Sequence, residues 1–128
     1  MAIEGKHIVI TGGAGFIGST LAGRLADRNR VTLFDNLARN TIQHTGGAQH
    51  PNVSLVQGDI LDPAAVKRVV TGADIVVHAA AIAGIDTVIK SPVKTMEVNM
   101  IGTANVLRAA QEAGVKDRVI EFSTSEVF

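Results

Sequence analysis

A glycine-rich run directly after a short apolar stretch constrains the fold of this chain more than any other feature. The apolar stretch, 7–11, has the length of a buried strand. It leads straight into the run Thr11-Gly12-Gly13-Ala14-Gly15-Phe16-Ile17-Gly18. From 16 to 28 the apolar residues recur at helical spacing. The segment therefore predicts a strand, a sharp turn and a helix in succession.

The rest of the chain alternates in the same way between strand-length apolar runs and helix-periodic stretches. Further strands are predicted at 31–35, 53–57, 73–78 and 118–123. The pattern predicts an α/β fold, a Rossmann-type doubly wound parallel sheet of strand order 3-2-1-4-5, with a ligand across the carboxyl ends of strands one and four. With 128 residues, 46% of them hydrophobic, the chain is expected to form one domain, 1–128, around a single core.

Two Pro-containing pairs mark the starts of later helices. Asp62-Pro63 and Ser91-Pro92 each place a capping residue before a proline at the first helical position. The second pair opens the longest predicted helix, 92–113. Its apolar residues form two opposite stripes, which are Met96, Met100, Thr103, Leu107 and Ala110 on one side and Val98, Gly102, Val106, Ala109 and Ala113 on the other. One stripe is expected to cover the sheet and the other to meet a partner, which predicts a homodimer through this helix.

Composition and charge exclude several classes of function. Twelve basic and twelve acidic residues leave no net charge, so neither nucleic acid nor a membrane surface is an expected partner. The chain has no cysteine, which rules out disulfides and thiolate metal sites, and no metal is expected. No secretion signal or spanning stretch is recognisable, so the cytoplasm is the expected location. Residues 36–51 show no period and are expected to be irregular.

The glycine-rich run suits the binding of a pyrophosphate. Without side chains at Gly12 and Gly15 the backbone can approach the phosphates, and the helix N-terminus supplies N–H donors and a favourable dipole. Asp35, about 20 residues on, ends the second strand, where its carboxylate can accept from ribose hydroxyls and repel a 2′-phosphate. The expected cofactor is NAD rather than NADP. Arg39 leaves the phosphorylated cofactor open, because arginine is its usual partner.

These motifs together resemble the extended branch of the short-chain dehydrogenase/reductase family, which includes the nucleotide-sugar epimerases and dehydratases. The resemblance carries cofactor contacts over to Gly12, Gly15, Phe16, Ile17, Gly18, Asp35, Asn36, Asp59, Ile60, Ala79, Ala80, Ala81, Asn99 and Ser123. It assigns Asp59 and the next backbone N–H to adenine, although Asp59 could simply end a strand with Ile60 in the core. It places Asn99 behind the nicotinamide, although an asparagine within a helix could make only a local hydrogen bond. His78 is expected to pack against the first helix.

The final residues resemble the family's segment after the fifth strand. There the resemblance makes Thr124 the hydroxyl that holds the substrate oxygen, and Glu126 a proton carrier of dehydratases and decarboxylases, unless it is only a solvated carboxylate. Phe128 stands where the family usually has tyrosine. The family's catalytic Tyr-x-x-x-Lys pair is not present, and the sequence contains no tyrosine. We therefore expect these residues to be the N-terminal part of an enzyme, inactive alone, whose C-terminal substrate-binding part is absent.

Three outcomes of one reaction remain open for that enzyme. Its expected substrate is a nucleotide-diphosphate sugar, oxidised transiently at C4. Return of hydride to the other face makes an epimerase, loss of water a 4,6-dehydratase, and loss of a C6 carboxylate a decarboxylase. A non-catalytic NAD-binding module or sensor is the alternative of another class.

Overall fold

The computed structural model describes residues 2–39, 42 and 49–124. Within these ranges one sheet is formed by five parallel strands, which are β1 (His7–Thr11), β2 (Arg30–Asp35), β3 (Val53–Gln57), β4 (Ile75–His78) and β5 (Arg118–Glu121). The order is β3-β2-β1-β4-β5, so the predicted topology is confirmed. Because all strands are parallel, their carboxyl ends share one edge, and the strand order reverses between β1 and β4. This switch point is where α/β sheets bind ligands.

The helices differ from their predicted bounds in places. They are α1 (Phe16–Leu25), α2 (Pro63–Val70), α3 (Ile85–Lys90), α4 (Pro92–Met96) and α5 (Gly102–Ala113). The predicted helix over 92–113 is confirmed, and it ends as expected at Gly114, whose φ is 69°. It contains a π-helical turn, Glu97–Ile101, between α4 and α5, which the sequence did not predict. Helix α3 was not predicted. Helix α1 ends at Leu25 and not at the predicted residue 28. The carbonyl oxygen of Leu25 accepts a hydrogen bond from the Asn29 side-chain amide at 2.9 Å.

Only one of the two predicted caps forms. The Asp62 carboxylate accepts hydrogen bonds from the backbone N–H groups of Ala64 and Ala65, at 3.0 and 3.3 Å, and thereby caps α2. Ser91 precedes α4, but its side chain makes no capping bond. Its carbonyl oxygen instead accepts from the Thr95 hydroxyl at 2.8 Å.

The core lies on both faces of the sheet, because successive strand side chains point to opposite sides. Ile8, Ile10 and Leu33 pack with α1 on one face. On the other face α2 and α5 cover a second cluster that includes Val9 and Phe34. A sheet covered on both faces explains why its central strands are almost continuously apolar.

The two predicted stripes on α5 and the turns before it have different environments. Residues of the sheet-facing stripe, such as Val106 and Ala109, are buried, which confirms that this stripe covers the sheet. On the opposite stripe Met96, Met100 and Leu107 are 56%, 60% and 47% exposed. Ala110 of this stripe is buried and Thr103 is half-buried, with its Oγ1 3.0 Å from the His78 Nε2 of the sheet. An apolar surface therefore remains uncovered along this helix.

Candidate functional site

The glycine turn lies between the carboxyl ends of β2 and β4 and contacts both. Gly12 has φ of 67° and donates its N–H to the Phe34 carbonyl oxygen at 2.8 Å. A Cβ on Gly12 would lie 2.8 Å from the Cα and N atoms of Ala80, which leaves no room for a side chain. Gly15 N–H then closes the turn onto the Gly12 carbonyl oxygen at 3.0 Å. The backbone is thus held open to approach by a ligand at the switch point.

Helix α1 starts at this turn with two exposed residues. Gly15 is the N-cap and offers no side-chain bond, and the first turn contains no acidic residue. Phe16 and Ile17 are 71% and 55% exposed, whereas Gly18 is buried where a Cβ would lie 2.7 Å from the Gly12 carbonyl oxygen. An exposed helix N-terminus beside a glycine turn is suited to a pyrophosphate.

Asp35 connects the glycine turn to the end of β2. Its Oδ2 accepts from Ala14 N–H at 3.0 Å and its Oδ1 from Leu37 N–H at 2.7 Å. A carboxylate has about four acceptor positions, so these two bonds orient it without using its full acceptor capacity. Asn36 beside it is exposed, and its side-chain oxygen accepts from Ala38 N–H at 3.0 Å.

Arg39, which left the phosphorylated cofactor open, has partners within the protein. Its Nη2 donates to the Ala83 carbonyl oxygen and to the Thr87 hydroxyl, both at 3.2 Å. These bonds join the segment after β2 to the segment after β4. In this arrangement the guanidinium holds two loops together, and the donors of its Nη2 are shared with protein oxygens.

The segment after β4, expected to line the cofactor, is held by main-chain and side-chain bonds. Ala79 N–H donates to the Thr11 carbonyl oxygen and Ala80 N–H to the Thr11 hydroxyl, both at 3.2 Å. Ala81 is exposed. Asn99 accepts from Ile82 N–H at 2.8 Å and donates to the Ile82 carbonyl oxygen at 3.0 Å. The asparagine side chain therefore reaches 17 residues back along the chain and makes more than a local helix bond.

His78 is a buried polar residue whose partners the sequence did not predict. The expectation that it packs against α1 is wrong, because alternation along β4 directs Val77 to the α1 face and His78 to the α5 face. Its Nδ1 lies 2.6 Å from the Thr11 Oγ1 and its Nε2 lies 3.0 Å from the Thr103 Oγ1. Burial lowers the pKa of the His78 imidazole. The only sequence signal was a histidine within an apolar strand.

Asp59 and Ile60 follow β3 at the same edge of the sheet. Asp59 is exposed, and its Oδ1 accepts from Leu61 N–H at 2.9 Å. Ile60 is only 7% exposed and belongs to the core on the α5 face. The Ile60 side chain thus fits the alternative of a core residue, while an adenine contact by Asp59 stays a prediction.

Ser123 and Thr124 lie just beyond β5 and are exposed. Phe122 N–H donates to the His78 carbonyl oxygen at 3.3 Å, which keeps this segment beside β4. Glu126 and Phe128 lie outside the described residues. The proposed roles of Thr124 and Glu126 therefore stay predictions.

The described ranges lack two other kinds of site. No group of three or more His, Asp or Glu side chains there is arranged to hold a metal ion. None of the helices there is long and apolar enough to cross a bilayer. The carboxyl edge around β1, β2 and β4 is therefore the candidate site.

Comparison with known proteins agrees with this arrangement. Residues 8–128 match the model of the NAD dependent epimerase/dehydratase family. A UDP-N-acetyl-alpha-D-glucosaminuronate decarboxylase of Bacillus cytotoxicus is 39% identical over 96% of this chain and 38% of its own length. A dTDP-glucose 4,6-dehydratase of Mycobacterium tuberculosis is 36% identical over 95% of this chain and 37% of its own.

A solved structure is similar over nearly the whole chain. It is the UDP-N-acetylglucosamine 4-epimerase from Methanobrevibacter ruminantium in complex with UDP-N-acetylmuramic acid, with a TM-score of 0.89 and 30% identity. The match covers 98% of this chain and 40% of that one. This chain thus spans about two fifths of the length of the proteins to which it is similar.

Proposed function

The chain belongs to the NAD dependent epimerase/dehydratase family, and from that premise we propose that it is the NAD-binding part of an enzyme acting on nucleotide-diphosphate sugars. One observation carries the proposal. The glycine turn meets Ala80 so closely that no side chain fits, while Asp35 binds the N–H of Ala14 inside that turn. A phosphate-binding backbone and a ribose-binding carboxylate are thereby held at the switch point of the sheet.

The residues present fit NAD at this edge. Gly12, Gly15 and the N-terminus of α1 would receive the pyrophosphate, and Asp35 the adenosine ribose. When bound, NAD supplies a hydride acceptor for a sugar carbon that is oxidised to a ketone and later reduced. Thr124 would hold the oxygen of that carbon, because a hydroxyl can donate to it as a ketone and accept from it as an alcohol.

The reaction proposed first is epimerisation through transient oxidation at C4. A 4,6-dehydratase and a decarboxylase are the alternatives, and relatives of both kinds match this chain at similar identity. Glu126 favours these alternatives, because a carboxylate after Thr124 could carry the proton that is moved when water or a carboxylate is lost from the sugar. The sugar and its nucleotide are left open.

A non-catalytic NAD-binding module is the candidate from another class. It would need the glycine turn and Asp35 but no base, and these 128 residues contain no tyrosine. The Ser-Thr-Ser-Glu segment at 123–126 favours the enzyme, because a module that only binds NAD has no need of a substrate hydroxyl. A Tyr-x-x-x-Lys pair elsewhere in the full-length protein would decide for the enzyme.

We also propose that the full-length protein is a homodimer paired through the 92–113 region. The exposed Met96, Met100 and Leu107 support this, since apolar rows on a helix commonly mark an interface. From the absence of net charge we still expect neither nucleic acid nor a membrane surface as a partner, and the cytoplasm as the location.

The test of the proposed function is product formation from nucleotide sugars. Full-length protein would be incubated with NAD and, separately, UDP-N-acetylglucosamine, dTDP-glucose and UDP-glucuronic acid, and the products identified by NMR. Conversion of at least one sugar to its C4 epimer, its 4-keto-6-deoxy product or its decarboxylated product is expected. NAD binding without conversion of any nucleotide sugar would favour the non-catalytic module, and no NAD binding would refute both.

A further inference from the structure

A continuous series of hydrogen bonds runs beneath the candidate site from the glycine turn to α5. Ala80 N–H donates to the Thr11 Oγ1 at 3.2 Å, and the Thr11 Oγ1 lies 2.6 Å from the His78 Nδ1. On the other side of the ring the His78 Nε2 lies 3.0 Å from the Thr103 Oγ1. The Thr103 hydroxyl donates to the Asn99 carbonyl oxygen at 2.7 Å.

The directions of these bonds define the state of the imidazole. The only hydrogen of the Thr103 hydroxyl is directed to Asn99, so Thr103 must accept from His78, and Nε2 carries a hydrogen. In the neutral ring with that hydrogen, Nδ1 is an acceptor, and the Thr11 hydroxyl 2.6 Å away can donate to it. A doubly protonated ring would donate from both nitrogens and deprive the Thr11 hydroxyl of this acceptor. The geometry therefore fits the neutral ring with its hydrogen on Nε2.

The surroundings of the ring agree with this assignment. His78 is 2% exposed, and its face of the sheet is lined by the apolar cluster that contains Val76 and Val106. Burial lowers its pKa, and no ionised group is among the causes of that shift. The ionisable residue paired with it across the sheet is Glu121 on β5, and burial raises the pKa of that carboxyl.

The series adds hydrogen bonds between two walls of the cleft that also meet through the apolar core. Thr11 immediately precedes Gly12 and holds Ala80, whereas Thr103 follows the π turn from which Asn99 holds the Ile82 backbone. The ring therefore provides a polar link between the β1 turn and the helix that supports the segment after β4.

We propose that His78 is a positioning residue for NAD, which holds the Ala80 and Ile82 segment against the glycine turn through Thr11 and Thr103. This inference rests on the proposed NAD site. His78 does not itself need to touch the cofactor, because it acts through the two threonine hydroxyls. Losing one net hydrogen bond of this series should weaken NAD binding by about tenfold, the equivalent of ~1.4 kcal/mol.

The first test is NAD affinity, measured by calorimetry on the full-length protein. Thr103→Val and His78→Gln should each raise the Kd about tenfold, their effects should not add in the double variant, and Thr103→Ser should restore wild-type affinity. Thr95→Val is the matched control, because Thr95 is also buried and its hydroxyl also donates to the carbonyl oxygen four residues earlier, but it is not a member of this series. It should leave the Kd unchanged, as should His7→Gln at the opposite end of β1.

The second test reads the ring itself, with ¹⁵N-histidine NMR at pH 7 and the His78 signal assigned by its loss in His78→Gln. A neutral ring with its hydrogen on Nε2 is expected. A hydrogen on Nδ1, an imidazolium, or a Thr103→Val variant that binds NAD as tightly as wild type would overturn the proposal. Failure of the wild-type protein to bind NAD would instead refute the proposed function on which it rests.

Discussion

The side-chain amide of Asn99 brackets the backbone of Ile82, accepting from its N–H at 2.8 Å and donating to its carbonyl oxygen at 3.0 Å. Both bonds come from a π-helical turn, and such turns recur at functional sites. In the segment after β4, both backbone polar groups of Ile82 thereby have a hydrogen-bond partner. The asparagine thus substitutes for a neighbouring strand at the edge of the cleft.

Replacing Asn99 by aspartate should separate these two bonds. The carboxylate can still accept from Ile82 N–H, but it faces the Ile82 carbonyl oxygen without a hydrogen to donate. We expect the free energy of unfolding to fall by about 1–3 kcal/mol and NAD binding to weaken. Urea unfolding and calorimetry would measure the two effects.

Asn52 provides a matched control for that variant. Its Nδ2 donates to the Ala26 carbonyl oxygen at 2.8 Å, near the amino end of β3 and away from the cleft. Asn52→Ala should lower stability without changing the NAD Kd. Equal NAD affinity in Asn99→Asp and wild type would contradict a role for the Ile82 contact in the site.

Asp35→Asn should reduce the preference for NAD over NADP. The amide oxygen can still accept from Ala14 N–H, but the negative charge that repels a 2′-phosphate is lost. The ratio of the NADP Kd to the NAD Kd is expected to fall roughly tenfold, which corresponds to ~1.4 kcal/mol. Asp59→Asn is the control and should leave this ratio unchanged. Wild-type protein that binds NADP more tightly would refute the assignment of Asp35.

Much of the fold was predictable because the strands are short, apolar and separated by strong helix signals. β3 has its predicted bounds, and the cap at Asp62 was visible as a cap-then-proline pair. The π turn was not predictable, because the apolar period continues through Glu97–Ile101 while the hydrogen-bond pattern changes. The partners of His78 were also missed, since a strand pattern does not show which threonine on another element lies opposite.

Stability should fall as the pH is lowered from 7.5 to 5.5. Burial lowers the pKa of His78 and of His7 below the ordinary value of 6.5, so between that value and the lowered one the unfolded chain binds more protons. The unfolding free energy therefore decreases as the pH falls through this interval. Glu121 acts with the opposite sign, because burial raises the pKa of its carboxyl above the ordinary value of 4.5, and between these two values it opposes the histidines.

Urea unfolding at pH 7.5, 6.5 and 5.5 would measure this dependence. His78→Gln should remove part of the slope and His7→Gln a separate part, because the two rings lie at opposite ends of the sheet. A slope of the opposite sign in the wild type, or a slope unchanged in both variants, would contradict the prediction.

Met100→Lys should weaken the proposed homodimer. Met100 is 60% exposed on the apolar stripe, and a lysine there would place a charge in the centre of the interface. Sedimentation should show more monomer at a given concentration. Ala64→Lys on the exposed N-terminal turn of α2 adds the same charge elsewhere and should leave the dimer intact. A wild-type protein that sediments only as a monomer would contradict the proposal.

Turnover should require both Thr124 and residues beyond these 128. General-base catalysis typically contributes ~10²–10⁴ in rate, and this chain alone has no tyrosine to provide the family's base, so it should bind NAD without forming product. In the full-length protein Thr124→Val should lower kcat by roughly 10² while Thr124→Ser keeps most of it, because only the hydroxyl is needed. Glu126→Gln distinguishes the reactions. Product loss with continued reduction of NAD would indicate a dehydratase or decarboxylase, whereas unchanged turnover would indicate an epimerase. Product formed by the 128-residue chain alone would refute the requirement.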